Sequence, residues 1–320
     1  MPSRRGAGNH RLRAAGCPHR LWPAALPLAT QQTASPRNIL IGVGCMCFAG
    51  LLFSVMGGVA KLLGEHYSSV QVSWARAFTH MVFLTAFFVP RHGLMILRTR
   101  KPWLQLGRAA TLTASNLCFF FAITFIPLAK ASAISLTAPL IVAVLAWPML
   151  RERTTPLRIL AVLVGFAGVL VVIRPGAAVF HPASLFVVVS ATAYGVYQIL
   201  TRMVAPYDSP ATSALWSPLT GAILLMAAQP WVWENPHSLG DAMLFLLCGV
   251  LGAVGHYFVA QALRFAPANV VSPFQYLQLL AAVAVGFVLF GNLPDALTWI
   301  GAAIIVGAGL LLTWSQARGK

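Results

Sequence analysis

Long apolar runs, broken only by short polar linkers, organise this chain. A bilayer core about 30 Å thick takes roughly 20 apolar residues per helical span. On that measure the runs predict spans at 39–63, 70–90, 104–126, 128–149 and 157–174, then at 182–203, 211–229, 241–264, 268–290 and 295–314. These make ten spans, with the ends of the seventh and tenth least sharply marked. Each is expected to be helical, because lipid offers backbone N–H and C=O groups no partner. Between the third and fourth runs, Pro127 ends one helix and Lys130 lies in a turn near water. Pro139 falls about 11 residues into the fourth run, where a proline removes a backbone hydrogen bond and kinks the helix.

Composition agrees with a polytopic membrane protein. Of the 320 residues, 58% are hydrophobic and only 9% charged, and the mean hydropathy is +0.78. A soluble domain of average composition carries about 25% charged residues. The positive charges are unevenly sorted. Arg91, Arg98, Arg100 and Lys101 follow the second run, and Arg151, Arg153 and Arg158 follow the fourth. Arg202, Arg264, Arg318 and Lys320 fall on the same side, with the Arg-rich beginning of the chain, while only Lys61, Lys130 and Arg174 fall opposite. Positive loops stay in the cytoplasm, so both termini are expected there. The net charge of +16 is largely this asymmetry and gives no reason to expect nucleic acid as a partner. Residues 1–38 lack helical periodicity and are expected to form a disordered basic tail. The five cysteines lack redox or zinc spacing, and no metal or cofactor is expected.

A weak internal repeat appears beneath the spans. Shifted by 137 positions, Phe121, Ala129, Ala131, Ser135 and Leu140 meet Phe258, Ala266, Ala268, Ser272 and Leu277. Shifted by 141, Ile159, Ala161, Ala167, Gly168 and Leu170 meet Ile300, Ala302, Ala308, Gly309 and Leu311. Two halves of five helices each must insert with opposite orientation, a skeleton suited to alternating access.

The run IPLAKASAISLTAPLIVAVLAWPMLRER, continuing to VGFAGVLVVIRPG at Gly176, resembles the first half of the drug/metabolite transporter superfamily, EamA type. SPFQYLQLLAAVAVGFVLFGNLPDALTWIGAAIIVGAG, from Ser272 to Gly309, is similar to its second repeat. WARAF (Trp74–Phe78) and PFQY (Pro273–Tyr276) resemble the subgroup that includes S-adenosylmethionine uptake proteins. The resemblance implies an all-α protein of ten transmembrane helices in two inverted repeats, 39–176 and 182–315, sitting in a bacterial inner membrane. Asn292 stands where the family often has Glu, and Glu152 fills the equivalent place in the first half.

Polar residues inside spans are candidate substrate contacts. Arg76 suits a carboxylate or phosphate through paired hydrogen bonds. Trp74, Asn116, Tyr194, Tyr197, His256, Tyr257, Gln275 and Tyr276 are candidates for a cavity that is part aromatic and part amide. Gln198, Gln261, Gln278 and His80 also fall within spans, and any one of these groups can instead serve helix pairing. Pro139 and Pro273 are candidate midplane irregularities. Lys61 has Glu65 at pairing distance, and Arg108 reads as an interfacial anchor. The six acidic residues, Glu65, Glu152, Asp208, Glu234, Asp241 and Asp295, all fall in loops or at span ends, which disfavours a charge-held cationic substrate. No H-E-x-x-H, G-x-S-x-G, phosphate-binding loop or pair of intramembrane aspartates occurs. A secondary carrier of a small zwitterionic or anionic metabolite is therefore expected, not an enzyme. A receptor, scaffold or passive channel built from the same helices is the alternative.

Overall fold

The computed structural model describes residues 36–150, 156–176, 180–266 and 268–318, all in helices and short connections. Most of the expected basic tail, together with Glu152 and Pro267, lies outside the described residues. Helix α1 spans Pro36–Leu63 and α2 spans Ser69–His92. Ser68 caps α2 by accepting from Gln71 N–H, satisfying a donor the helix cannot. Gly93, at φ 67°, closes the other end of α2, in a conformation glycine adopts without a Cβ penalty. Pro102 opens α3 (Pro102–Phe125), which stops just before Pro127.

The fourth expected span is two helices, α4 (Leu128–Ser135) and α5 (Ala138–Leu150). The break lies at Leu136–Thr137, and Pro139 sits in the first turn of α5. There its missing N–H is one of the donors that has no intrahelical partner anyway. The expected proline kink inside a continuous helix is thus replaced by an interruption just ahead of the proline.

Helix α6 spans Pro156–Ile173, α7 Ala183–Val204, α8 Pro210–Met226 and the short α9 Gln229–Val232. Helix α10 (Leu239–Phe265) is followed by α11 (Ala268–Val271), a 3₁₀ segment at Ser272–Tyr276 that contains Pro273, and α12 (Leu277–Phe290). Helix α13 (Ala296–Arg318) ends the described chain. The α4/α5 and α11/α12 regions are therefore both interrupted.

Among the described residues, six stretches are long and apolar enough to cross a membrane: α1, α2, α3, α4 with α5, α7 and α10. Three shorter apolar helices cover 159–173, 274–290 and 296–312. The seventh expected span, α8, has 17 residues and carries Thr212, Ser213, Ser217, Pro218 and Thr220 within them. It belongs to neither group, so by length and apolarity these helices do not by themselves establish ten spans.

Packing between the halves is reciprocal. Helix α1 lies on α10, and α7 lies on α3; α1 also meets α12 as α7 meets α5. Helix α2 packs on α8 and α6 on α13. The α6–α13 pair approaches closely through glycine: a Cβ on Gly301 would lie 2.7 Å from the Gly168 carbonyl oxygen. Phe120, Ile123, Ile134 and Ile199 are among the fully buried side chains where these pairs meet.

Candidate functional site

Helix α2 brings Arg76 into the bundle between α1, α3 and α10. Its side chain is only 6% exposed. Nε lies 3.4 Å from Met56 Sδ, and the guanidinium carbon lies 5.9 Å from the centroid of Phe120. The approach depends on small residues along α10. A Cβ on Gly249 would sit 2.4 Å from Thr79 Cβ and 3.0 Å from the Arg76 carbonyl. A Cβ on Gly252 would be 3.5 Å from Arg76 Nε and 3.3 Å from Met56 Sδ. A thioether is a weak acceptor, and among the described residues no carboxylate pairs with Arg76.

One helical turn along α2, His80 is 5% exposed and its Nε2 has no hydrogen-bond partner. Its ring stacks on that of His256 at 5.6 Å between centroids and 18° between planes. Phe53 of α1 packs edge-on against His256 at 5.0 Å. Arg76, His80 and His256 thus form one cationic and imidazole cluster walled by Met56, Phe53 and Phe120.

The other predicted residues are dispersed. Trp74 stacks on Phe78 at 5.1 Å and meets Trp233 edge-on at 5.6 Å. Its buried Nε1 has no partner, and these aromatics line a groove of about 320 Å³ with Gln71, Pro236 and Phe245. Asn116 is half-buried on α3. Tyr194 and Tyr197 stack on each other at 5.5 Å. Tyr257 is exposed and accepts a 2.7 Å hydrogen bond from Gln261, roughly 100° round α10 from His256. Gln275 is exposed. Tyr276 packs into α13 at Gly309, where a Cβ would clash with its hydroxyl, and it lines a separate apolar groove with Leu280, Trp299 and Leu310.

Arg108 departs from its expected place as an interfacial anchor. It is 1% exposed and makes three hydrogen bonds. Nε donates to Gln105 Oε1 at 2.9 Å, and Nη2 donates to Ser217 Oγ at 2.9 Å and to the Ser213 carbonyl. Its guanidinium carbon lies 5.2 Å from the centroid of Tyr197. Gln105 Nε2 in turn donates to Asp208 and to Ser213 Oγ, both at 2.9 Å. Asp208 also accepts from Thr99 Oγ1 and, at 2.9 Å, from the Arg100 N–H. Partial burial pushes the Asp208 carboxyl upward, but the hydrogen bonds from Thr99, Arg100 and Gln105 outweigh it and hold the carboxyl below its ordinary range. This network ties the α2–α3 linker to the α7–α8 linker, at the end of the bundle where α1 begins.

The opposite end has its own ties. Lys61 donates to the carbonyls of Ile123 and, at 3.0 Å, Ile126, so its ammonium caps the end of α3 where a pair with Glu65 was expected. Tyr67 OH donates to Asp241 at 2.7 Å and accepts from His237 N–H at 2.8 Å. Arg174 pairs with Asp295. The Arg174 guanidinium, followed by hydrogen bonds from Thr298, holds the Asp295 carboxyl down to about 2.

The sequence matches the model of the EamA-like transporter family twice, over residues 40–174 and 181–314. A riboflavin transporter of Rhizobium johnstonii is 29% identical over 297 residues, covering 90% of this chain and 96% of that one. An S-adenosylmethionine uptake transporter of Rickettsia conorii is 27% identical over 282 residues, covering 88% and 95%. A crystal structure with 19% sequence identity superposes with a TM-score of 0.61, covering 89% of this chain and 99% of its own; it bears on the fold alone.

Proposed function

Because the chain belongs to the EamA-like transporter family, and is therefore a multi-pass membrane transporter of small molecules rather than an enzyme, we propose that it carries a zwitterionic or anionic metabolite past Arg76 by alternating access. The observation behind this reading is the guanidinium itself. It is buried, a sulfur atom is its hydrogen-bond acceptor, and among the described residues no carboxylate neutralises it. A buried charge without a partner is costly, and an incoming carboxylate or phosphate would relieve that cost with charge-assisted hydrogen bonds. Riboflavin and S-adenosylmethionine, named for the relatives, serve as the first compounds to test.

In this reading the reciprocal halves rock about the Arg76 cluster. The Arg108–Asp208 network closes one end, and the Lys61, Tyr67 and Arg174 ties close the other. Asn116 and Tyr197 complete the path on the side of Arg108. Both termini face the cytoplasm of a bacterial inner membrane, as the loop charges favour.

Counterflow in proteoliposomes tests the function. Purified protein would be offered labelled S-adenosylmethionine, riboflavin, amino acids and nucleosides, with Arg76→Gln alongside. Saturable counterflow of one compound, with weaker apparent affinity in Arg76→Gln, is the expected result. Unsaturable flux would make the protein a channel, and absence of flux would leave the scaffold reading. Counterflow unaltered by Arg76→Gln would remove Arg76 from the substrate path.

A further inference from the structure

We propose that the stacked imidazoles of His80 and His256 bind the proton that accompanies the substrate, so that the chain works as an anion–proton symporter. The inference rests on the reading of Arg76 as the substrate's anion partner and extends it to the coupling ion.

Three observations lead there. First, the described acidic residues lie at the ends of the bundle or in its linkers, so no carboxylate in the middle of the bundle is available as a proton carrier. Second, His80 and His256 meet ring to ring at 5.6 Å, one turn from Arg76 on α2 and one turn from Gly252 on α10. Third, His80 Nε2 is buried without a partner, and His256, half-buried, makes ring contacts but no hydrogen bond among the described residues. A neutral imidazole has one nitrogen free to take a proton.

The surroundings set the order of events. Arg76 is the charged group facing the pair, and it lies on their own side of α2. Helix α10 adds the Cys248 thiol, and α7 adds Tyr197, both within electrostatic reach of Arg76. Helix α1 presents Phe53 and Met56, α3 presents Phe120, and α8 has no titratable residue in its sequence. With the site empty, a second positive charge beside the guanidinium is disfavoured. Once an anion sits on Arg76, the same imidazoles become favourable proton sites. By linkage, the proton strengthens anion binding by the factor with which the anion strengthens proton binding. The substrate then crosses with one proton, which offsets the charge of the group held by Arg76, and both leave on the other side.

The test uses full-length protein in proteoliposomes with the membrane potential clamped at zero and, as probe, labelled S-adenosylmethionine or amino acids, each of which carries a carboxylate for Arg76. Counterflow first establishes carriage. An inward proton gradient is then imposed with equal probe on both sides. At one proton per substrate, accumulation of about tenfold per pH unit is expected at steady state. That ratio is thermodynamic, so it is independent of how fast a variant works. In His80→Gln or His256→Gln it falls toward one. Proton uptake on adding the probe to protein in unbuffered detergent needs no turnover and judges variants too slow to carry. About one proton is taken up by the wild type and none by the coupling-defective variant. Wild-type counterflow with an accumulation ratio of one overturns the coupling while leaving the carrier reading intact. A full ratio, or full proton uptake, in both histidine variants removes the histidines from it. Absence of counterflow with every compound of the panel overturns the carrier reading, and the symport with it.

Discussion

Arg76 and Arg108 are both buried arginines in an apolar bundle, yet their surroundings are opposite. Arg108 has an oxygen for Nε and two more for Nη2, an aromatic face beneath it, and Gln105 linking it to a carboxylate. Arg76 has a thioether and the ring of Phe120. The first environment gives oxygen acceptors to Nε and Nη2 of the guanidinium, whereas the second offers only a sulfur. Burial alone therefore does not mark a binding residue. Burial with too few acceptors is what supports the reading of Arg76 as one, because a charge that its own fold does not satisfy is costly.

The sharpest way to break this contrast is to remove each arginine. Arg108→Met should destabilise the protein by about 3 kcal/mol, since Gln105, Ser213 and Ser217 lose a charged donor inside the bundle; a loss under about 1 kcal/mol in detergent unfolding would put Arg108 among the unused charges. Arg76→Gln should weaken apparent substrate affinity by about 2 kcal/mol, roughly 30-fold, while thermal stability changes little. A large stability loss with unchanged affinity would reverse the two assignments. Gly249→Ala adds a Cβ that must displace Thr79 and the Arg76 backbone. It should cost about 1 kcal/mol and weaken affinity through Arg76, and equal affinity would show that this spacing does not position the guanidinium.

Acid sharpens the comparison further. The Asp208 carboxyl titrates below its unfolded value. Its stabilisation of the linkers is therefore complete above the ordinary carboxylate range and lost as pH falls through the lowered value. Amide exchange at 99–105 should accelerate on that acid limb, and Asp208→Asn should remove the pH dependence without touching Arg76. The smallest effect belongs to Arg174→Gln. The Asp295 pair is partly exposed, so its loss should cost less than about 1 kcal/mol. That loss should be seen only above the pH window between about 2 and the ordinary carboxyl value, because protonation of Asp295 removes the same contribution.

The long helices were legible because length and apolarity are local properties. Runs at 39–63, 70–90, 104–126, 182–203 and 241–264 lie within a few residues of α1, α2, α3, α7 and α10. The break between α4 and α5 was signalled by Pro139, but its position at Leu136–Thr137 was not. Facing was much harder to read. In lipid, both the packed and the exposed sides of a helix are apolar, so Tyr257 and His256 looked equally promising although only His256 meets His80. The engagement of Arg108 was hidden for another reason. Ser213 and Ser217 lie more than a hundred positions away, and only the packing of α3 on α8 brings them to it. Arg76 stood out because a charge about six residues inside the 70–90 run is anomalous wherever its partners lie.

The short, hydroxyl-rich α8 also bears on how the protein is made. At 17 residues it is shorter than the roughly 20 that span a bilayer core, and Thr212, Ser213, Ser217 and Thr220 give it hydroxyls that a neighbouring helix can satisfy. Helix α3 emerges from the ribosome first, carrying Arg108 as a donor for the Ser213 carbonyl and Ser217 hydroxyl. The pairing that ties one end of the bundle is thus available to α8 as soon as α8 is made, and a chain without Arg108 should show a larger share of molecules with α8 outside the membrane in a loop-accessibility assay.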